Sequence, residues 1–289
     1  MHIINTMNEL RDNLEGERSK NNNISLIPTM GNLHDGHISL IKNAKKYKSK
    51  NFVTIYVNPL QFNDKKDLES YPRTLDRDLE KLIDEDVDYV FIPDNLEISD
   101  MIIKDINLPW GFENFLCGKT RQNHFYGVYQ IVEYFLRIFQ PKFTFFGEKD
   151  YQQYLLVMYI IKSHFLKNNI DLILCPTMRT TDGLAISSRN SRLSNSEKTL
   201  AAKMMTSFFK TVKDYFNSTG LYNIDNLIPK NKDIVFEYAK VVNEKTLLEK
   251  HGLSEFIDKA SYNHRLFVAI KIGNTRLIDN YVIEGYDTL

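Results

Sequence analysis

The chain opens on a short apolar run, His2 to Ile4, followed by a polar helical stretch and an Asn-rich turn. Ile24, Leu26 and Ile27 then form an apolar run of buried-strand type, broken by Pro28 and Gly31. A helix resumes with Leu40, Ile41, Ala44 and Tyr47 on one face. Phe52 to Val57 is a continuous strand ended by Asn58-Pro59, and a polar loop with Lys65, Lys66, Asp67 and Glu69 follows. Tyr71-Pro72-Arg73-Thr74 opens the next helix. Thr74 stands at the N-cap, Asp76 and Asp78 lie in the first turns, and Leu75, Leu79 and Leu82 line one face. Asp88 to Ile92 is a further strand, closed by Pro93. Residues 94–126 have no clear period and read as a connecting segment with a small helix or hairpin. Val128, Ile131, Val132, Phe135, Leu136 and Phe139 recur with the spacing of an amphipathic helix. Phe143 to Phe146 is then a strand, Tyr151 to Phe165 a helix and Ile170 to Leu174 the last strand of the series. This alternation is what right-handed βαβ units and a parallel sheet require.

Past Pro176 the rhythm changes. Leu200, Ala201, Met204, Met205, Phe208, Phe209, Val212 and Phe216 place one long helix with a single apolar face. A polar connection from Asn217 to Lys232 leads to a strand-like Ile234-Val235-Phe236. Arg265 to Ile272 and Thr275 to Asn280 flank Gly273-Asn274, a hairpin turn whose residues accept positive φ. The expectation is an α/β, Rossmann-like parallel-sheet domain over 1–180 and a smaller α+β domain over 181–289.

Composition narrows the class. The 289 residues include 43% hydrophobic and 26% charged side chains, ordinary values for a globular protein with a real core. Lysine plus arginine equals aspartate plus glutamate at 37 each, so no global field draws in nucleic acid or an anionic membrane. Cys117 and Cys175 are far apart without metal-ligand spacing, which suits a reducing compartment. The polar N-terminus lacks a signal-type apolar core, and no stretch approaches a membrane span. A cytoplasmic location is expected.

The chemistry gathers after the strands. His34-Asp35-Gly36-His37 follows the strand at 24–27 and enters a helix. Three residues apart there, both imidazoles point the same way, and free N–H groups at the helix start favour an anion. Asn58-Pro59-Leu60-Gln61 follows the next strand, Gly147-Glu148-Lys149-Asp150 a third and Thr177-Met178-Arg179 a fourth. In an open parallel sheet the segments that follow strands share one edge, where ligands bind at the topological switch point. A glycine, a lysine and a helix start at 147–151 suit a phosphate, as do the hydroxyls and guanidinium of Ile186-Ser187-Ser188-Arg189. Arg121 and His124 take no clear role.

In order, PTMGNLHDGH, VNPLQF, YPRTLDRD, HFYGV, FFGEKDYQQ and DGLAISSRN resemble the pantoate–β-alanine ligase family, within the HxGH nucleotidyltransferase superfamily. The resemblance covers about residues 24–195 and resumes at Lys240-Val241-Val242 and Thr275 to Asn280. It departs at Asn32, where Ala is usual, at Gln122-Asn123, where Pro-Gly is usual, and at Thr180-Thr181, where a Glu-Ala pair often sits. The resemblance implies an ATP-dependent ligase that condenses pantoate with β-alanine through a pantoyl adenylate. It implies a nucleotide site of Met30, Gly31, Asn32, Leu33, His34, Asp35, Gly36, His37, Gly147, Glu148, Lys149, Asp150, Met178, Ile186, Ser187, Ser188 and Arg189. Within that set His37, His34 and Lys149 act in catalysis. Gln61, Gln153 and Asn58 would bind pantoate and β-alanine, since an amide both donates and accepts. The loop 186–190 would close over the ATP phosphates. Mg²⁺ would bridge those phosphates, with Asp78 its candidate protein ligand, and the family is commonly a homodimer. No nucleic acid or membrane partner is implied.

Another HxGH nucleotidyltransferase, acting on a phosphate-bearing substrate, would want Arg or Lys in place of Gln61 and Gln153. A non-catalytic nucleotide-binding module gives no reason for both histidines, Lys149 and Ser187-Ser188-Arg189 to stand together.

Overall fold

A computed structural model describes residues 1–94, 98, 106, 108–221, 223–245, 247 and 264–283. The chain divides into two compact units, Met1–Asn114 with Arg121–Met178, and Phe115–Thr120 with Arg179–Leu289.

The first unit is built on six strands: β1 His2–Ile4, β2 Ile24–Thr29, β3 Lys50–Ile55, β4 Tyr89–Phe91, β5 Phe143–Gly147 and β6 Asp171–Cys175. They lie in the order β1-β4-β3-β2-β5-β6, and each neighbouring pair is parallel. From β2 the chain steps outward to β3 and β4, then crosses back to lay β5 on the other side of β2. The switch point therefore lies between β2 and β5. The strand expected at 52–57 begins and ends two residues earlier, because β2 pairs with β3 from Ile24↔Lys50 to Thr29↔Ile55 and then stops.

Helices α1 (Met7–Ser19), α2 (Asp35–Ala44), α3 (Lys65–Glu69), α4 (Leu75–Asp84), α6 (His124–Phe139) and α7 (Tyr151–His164) accompany the sheet, whereas α5 (Leu116–Thr120) belongs to the second unit. Leu40, Ile41 and Ala44 of α2 and Leu82 of α4 pack with Ile27, Val53, Val90 and Phe145 of the strands. On α6, Phe135 and Phe139 meet Phe52 and Phe91 edge-on at centroid distances of 5.7–6.4 Å, the favoured aromatic geometry. The sequence pattern of α6 is thus a core stripe. Of the segment expected to connect at 94–126, residues 109–114 form a 3₁₀ turn and 116–120 the short α5; residues 95–97, 99–105 and 107 lie outside the described residues.

In the second unit α8 (Asn195–Thr219) lays Ala201, Met205, Phe208, Val212 and Phe216 against an antiparallel sheet of β7 (Val235–Asn243), β8 (His264–Ile272) and β9 (Thr275–Ile283). Ser194 and Glu197 form a capping box at the start of α8, and Gly220 at φ +65° ends it. The pairing Ile272↔Thr275 confirms the two-residue Gly273-Asn274 turn. β7 runs well beyond the expected 234–236. A register shift between Phe236 and Tyr238 breaks the alternation by which a strand is recognised. Neither cysteine forms a disulfide. No helix among the described residues is long and apolar enough to cross a membrane.

Candidate active site

Beyond β2 the backbone enters the left-handed region twice in succession, at Gly31 (φ +74°) and Asn32 (φ +48°). A Cβ on residue 31 would come within 3.1 Å of Ile55 Cγ2 and 3.2 Å of Asp78 Oδ2, so the positive φ favours glycine and the tight space adds to that preference. Asn enters the left-handed region with less strain than Ala does, which accounts for Asn32 at this position. The turn is clamped by Asp78, whose buried carboxylate accepts from Asn32 N at 2.8 Å and Leu33 N at 2.7 Å. The Thr74 hydroxyl, expected to cap α4, makes no cap bond; it donates to both Asp78 oxygens at 3.2 and 3.3 Å. Lys81 donates to Leu33 O from the same helix. Asp78, read from the sequence as a candidate magnesium ligand, thus has both oxygens committed to holding a loop.

That loop delivers a capping box made of two histidines. His34 is the N-cap of α2, and its Nδ1 accepts from Gly36 N at 3.1 Å. His37, three residues on, returns its Nδ1 to His34 N at 3.3 Å. A backbone N–H can only donate, so both Nδ1 atoms are acceptors and each neutral ring carries its proton on Nε2. The rings stack at 4.0 Å with an interplanar angle of 29°. Burial, reinforced by the charge of Lys149, pushes the His34 pKa down to about 4. Burial, followed by His34 and Lys149, holds His37 well below its ordinary value. Two neutral Nε2–H donors therefore stand together at a helix N-terminus, where the backbone dipole favours an anion.

Across the switch point β5 ends at Gly147, and Glu148–Asp150 form a 3₁₀ turn leading into α7. Lys149 is largely buried there, with Nζ 3.3 Å from Asp150 Oδ2. Its field reaches both histidines, so the Lys149 ammonium and the two imidazole donors act on one corner, with Asp150 and Asp35 opposing its charge there. A Cβ on Gly147 would meet no protein atom within 4 Å, which leaves the backbone open to a ligand. Gln153 stands half-buried in the first turn of α7, and Met178 is exposed beyond β6. Asp35, at the first position of α2, is exposed.

After β3 the chain makes the 3₁₀ turn Pro59–Gln61. Gln61 is buried, with Nε2 2.8 Å from Met30 Sδ and Oε1 3.3 Å from Asn58 Nδ2. Asn58 also donates to Gly127 O at 2.9 Å and accepts from Leu60 N at 3.2 Å, so its amide orients Gln61. Met30, which the resemblance places with the nucleotide, lies against the Gln61 amide. His124 and Arg121 meet the Gln61 carbonyl. Gly127 lies against the same turn, and its place there had no signal in the sequence beyond its setting in HFYGV. The usual Pro-Gly is replaced by Gln122-Asn123 without breaking the turn, because Asn123 takes φ +60°.

Ile186, Ser187, Ser188 and Arg189 belong to the second unit. Ser187 Oγ donates to Asn190 Oδ1 at 2.7 Å, and Ser188–Arg192 form a short 3₁₀ turn. Also within that unit, Arg179 grips the buried Asp279 through two bonds of 2.6 and 2.9 Å and lies over the Tyr281 ring.

The family model described as pantoate-beta-alanine ligase matches residues 2–282. The pantothenate synthetase of Acetivibrio thermocellus is 35% identical over 290 residues, covering 98% of this chain and 100% of that protein. That of Buchnera aphidicola is 37% identical over 298 residues, covering 97% and 98%. Among solved structures, the pantothenate synthetase of Thermus thermophilus superposes with a TM-score of 0.84 at 30% identity, covering 99% and 100%. The pantoate-beta-alanine ligase of Francisella tularensis, complexed with beta-gamma ATP and beta-alanine, gives 0.76 at 32% identity, covering 99% and 98%. Six parallel strands in one order, a histidine box at the switch point and a match over nearly the whole length agree: the chain belongs to the pantoate–β-alanine ligase family.

Proposed function

We propose that this site activates the carboxylate of pantoate with ATP and passes the acyl group to β-alanine. In the first step a pantoate carboxylate oxygen attacks the α-phosphorus, the bond to the β-phosphate oxygen breaks, and pyrophosphate leaves from a pantoyl adenylate. The amine of β-alanine then attacks the acyl carbon, AMP departs and pantothenate remains. Charge grows on the phosphates in the first step, and catalysis is alignment plus stabilisation of that charge. The observation that carries the reading is the pair of neutral Nε2–H donors of His34 and His37 beside Lys149 at the switch point. His37 is the group we place on the departing phosphate. Gln61 and Gln153 serve the pantoate carboxylate and hydroxyls, and Gln61 also serves β-alanine. Gly147, Glu148, Asp150 and Met178 serve the nucleotide.

Among the described residues no cluster of three or more His, Cys, Asp or Glu side chains could hold a metal ion, and the Asp78 oxygens hold the loop. No side chain is assigned to Mg²⁺ in this reading; when bound it would supply charge neutralisation to the phosphates. In this reading Ser187, Ser188 and Arg189 are phosphate-binding groups, the assembly is a homodimer and the location the cytoplasm, as the family resemblance implies. The test is exchange of labelled pyrophosphate into ATP. Exchange that requires both pantoate and Mg²⁺ is expected. Exchange that ignores pantoate and follows another acid would assign a different ligase.

A further inference from the structure

We infer that Arg121, His124 and Gly127 are positioning residues for Gln61, and so set the affinity for pantoate without touching it. The inference rests on reading Gln61 as a pantoate-binding residue. Gln61 sits at the end of a three-residue 3₁₀ turn whose own closing bond, Gln61 N to Asn58 O, is long at 3.4 Å. Such a turn does not hold a side chain to the tolerance that a closed polar pocket needs. The missing rigidity comes from α6. His124, buried at its first position, places Nδ1 2.8 Å from the Gln61 carbonyl oxygen. Arg121 places Nη1 2.9 Å from the other ring nitrogen, Nε2, and Nη2 3.4 Å from the same carbonyl. A guanidinium has no acceptor, so Nε2 must accept from Arg121; the ring then carries its proton on Nδ1 and donates it to Gln61 O. Arg121 thus selects the one tautomer that can grip the turn.

One turn further along the helix, Gly127 sets the distance. A Cβ there would fall 2.4 Å from Leu60 C and O and 2.5 Å from Gln61 N, main-chain atoms that cannot swing aside. The Gly127 carbonyl also accepts from Asn58, whose amide faces Gln61 Oε1. Backbone carbonyl, backbone N–H neighbour and side-chain amide of Gln61 are therefore all registered against one helix turn, 124–127. None of the bonds named here involves His34 or His37, and Gln61 meets the segment before the histidine box through Met30 Sδ, so the main effect is expected on pantoate and not on the nucleotide.

The experiment is steady-state kinetics of pantothenate formation in His124→Leu, His124→Asn, Arg121→Leu, Gly127→Ala and Gln61→Ala, each with a thermal melt. His124→Leu should raise the KM for pantoate by about ten- to a hundredfold, the scale of a misplaced hydrogen-bonding group in a polar pocket, and leave the KM for ATP within about twofold. His124→Asn places an amide N–H near the Nδ1 position and should recover most of the loss, which a role in packing alone would not allow. Gly127→Ala should mimic His124→Leu. If His124→Leu fails to fold, Arg121→Leu, on a half-buried side chain, carries the same test with the same direction of change. Wild-type pantoate KM in the His124 and Arg121 variants, with a raised KM in Gln61→Ala, would overturn the positioning role and leave the Gln61 reading standing. Wild-type KM in Gln61→Ala itself would instead overturn that reading, and the inference with it. Failure of His124→Asn to recover more than His124→Leu does would also refute it.

Discussion

Replacing Asp78 by Asn tests how the loop that carries the histidines is held. The carboxylate receives Asn32 N at 2.8 Å, Leu33 N at 2.7 Å and the Thr74 hydroxyl, and it is 1% exposed. In Asp78→Asn one oxygen becomes an NH₂ group, so one of the two main-chain donors faces another donor and the charge is lost. A bond to a charged acceptor is worth about 1.5–3 kcal/mol, and a buried donor left without a partner costs about 1–3 kcal/mol. A loss near 3 kcal/mol follows, and in a domain of this size that lowers the melting temperature by roughly 6–12 °C. The two left-handed residues Gly31 and Asn32 would then relax, and the Nε2 atoms of His34 and His37 would leave their line. Misplacing catalytic groups by about an ångström costs on the order of a hundredfold in rate. The assay is pyrophosphate exchange at increasing Mg²⁺, together with the melt. A clamp predicts a lowered melting temperature and a slow rate that added Mg²⁺ does not restore. An unchanged melting temperature with a rate restored by Mg²⁺ would refute the clamp and return Asp78 to the metal.

The remaining expectations concern charge. The folded-state pKa of His34, about 4, lies below the ordinary 6.5, and that of His37 is also well below it. The unfolded chain therefore binds these protons first; stability is full above about pH 6.5 and declines as pH falls toward about 4. At about 1.4 kcal/mol per pH unit, the His34 contribution reaches at most about 3 kcal/mol. Urea unfolding at pH 7 and pH 4.5 should show a smaller difference in His34→Asn than in the parent, and an equal difference would contradict the burial argument. Lys149→Ala should weaken ATP binding in calorimetry without pantoate, whereas Gln153→Ala should leave ATP binding near the parent value and impair pantoate use; equal weakening of ATP would assign both loops to the nucleotide. Arg179→Leu removes both bonds to Asp279, whose side chain is 1% exposed. Breaking one side of such a pair costs about 3–5 kcal/mol, so a lowered melting temperature is expected, and a melt matching the parent's would show Asp279 to be solvated.

The order of elements and the chemistry of the strand ends are written in the amino-acid sequence. Hydrophobic period separates the strand at Ile24–Ile27 from the helix at Val128–Phe139, because a core stripe repeats locally and each repeat is written in adjacent residues. Pro28, read as ending the strand, lies inside β2, paired with Thr54, so that boundary was set by the neighbouring strand. The parallel sheet then places HDGH and GEKD on neighbouring strands by topology, and their side-chain types name an anion. Whatever depends on residues distant in the chain waited for the packed molecule. Asp78 lies 45 residues from Leu33 and looks, in sequence, like one more acid in the first turns of a helix. Gln61 is fixed by His124, 63 positions away, and the reason residue 127 is glycine is the backbone of residues 60 and 61. Even the state of His34 and His37 is a tertiary matter: their spacing is local, but the burial and the Lys149 charge that keep both rings neutral are not. Period and residue type report which groups a site contains; only the packed chain sets which atom of each group donates, and what holds it still.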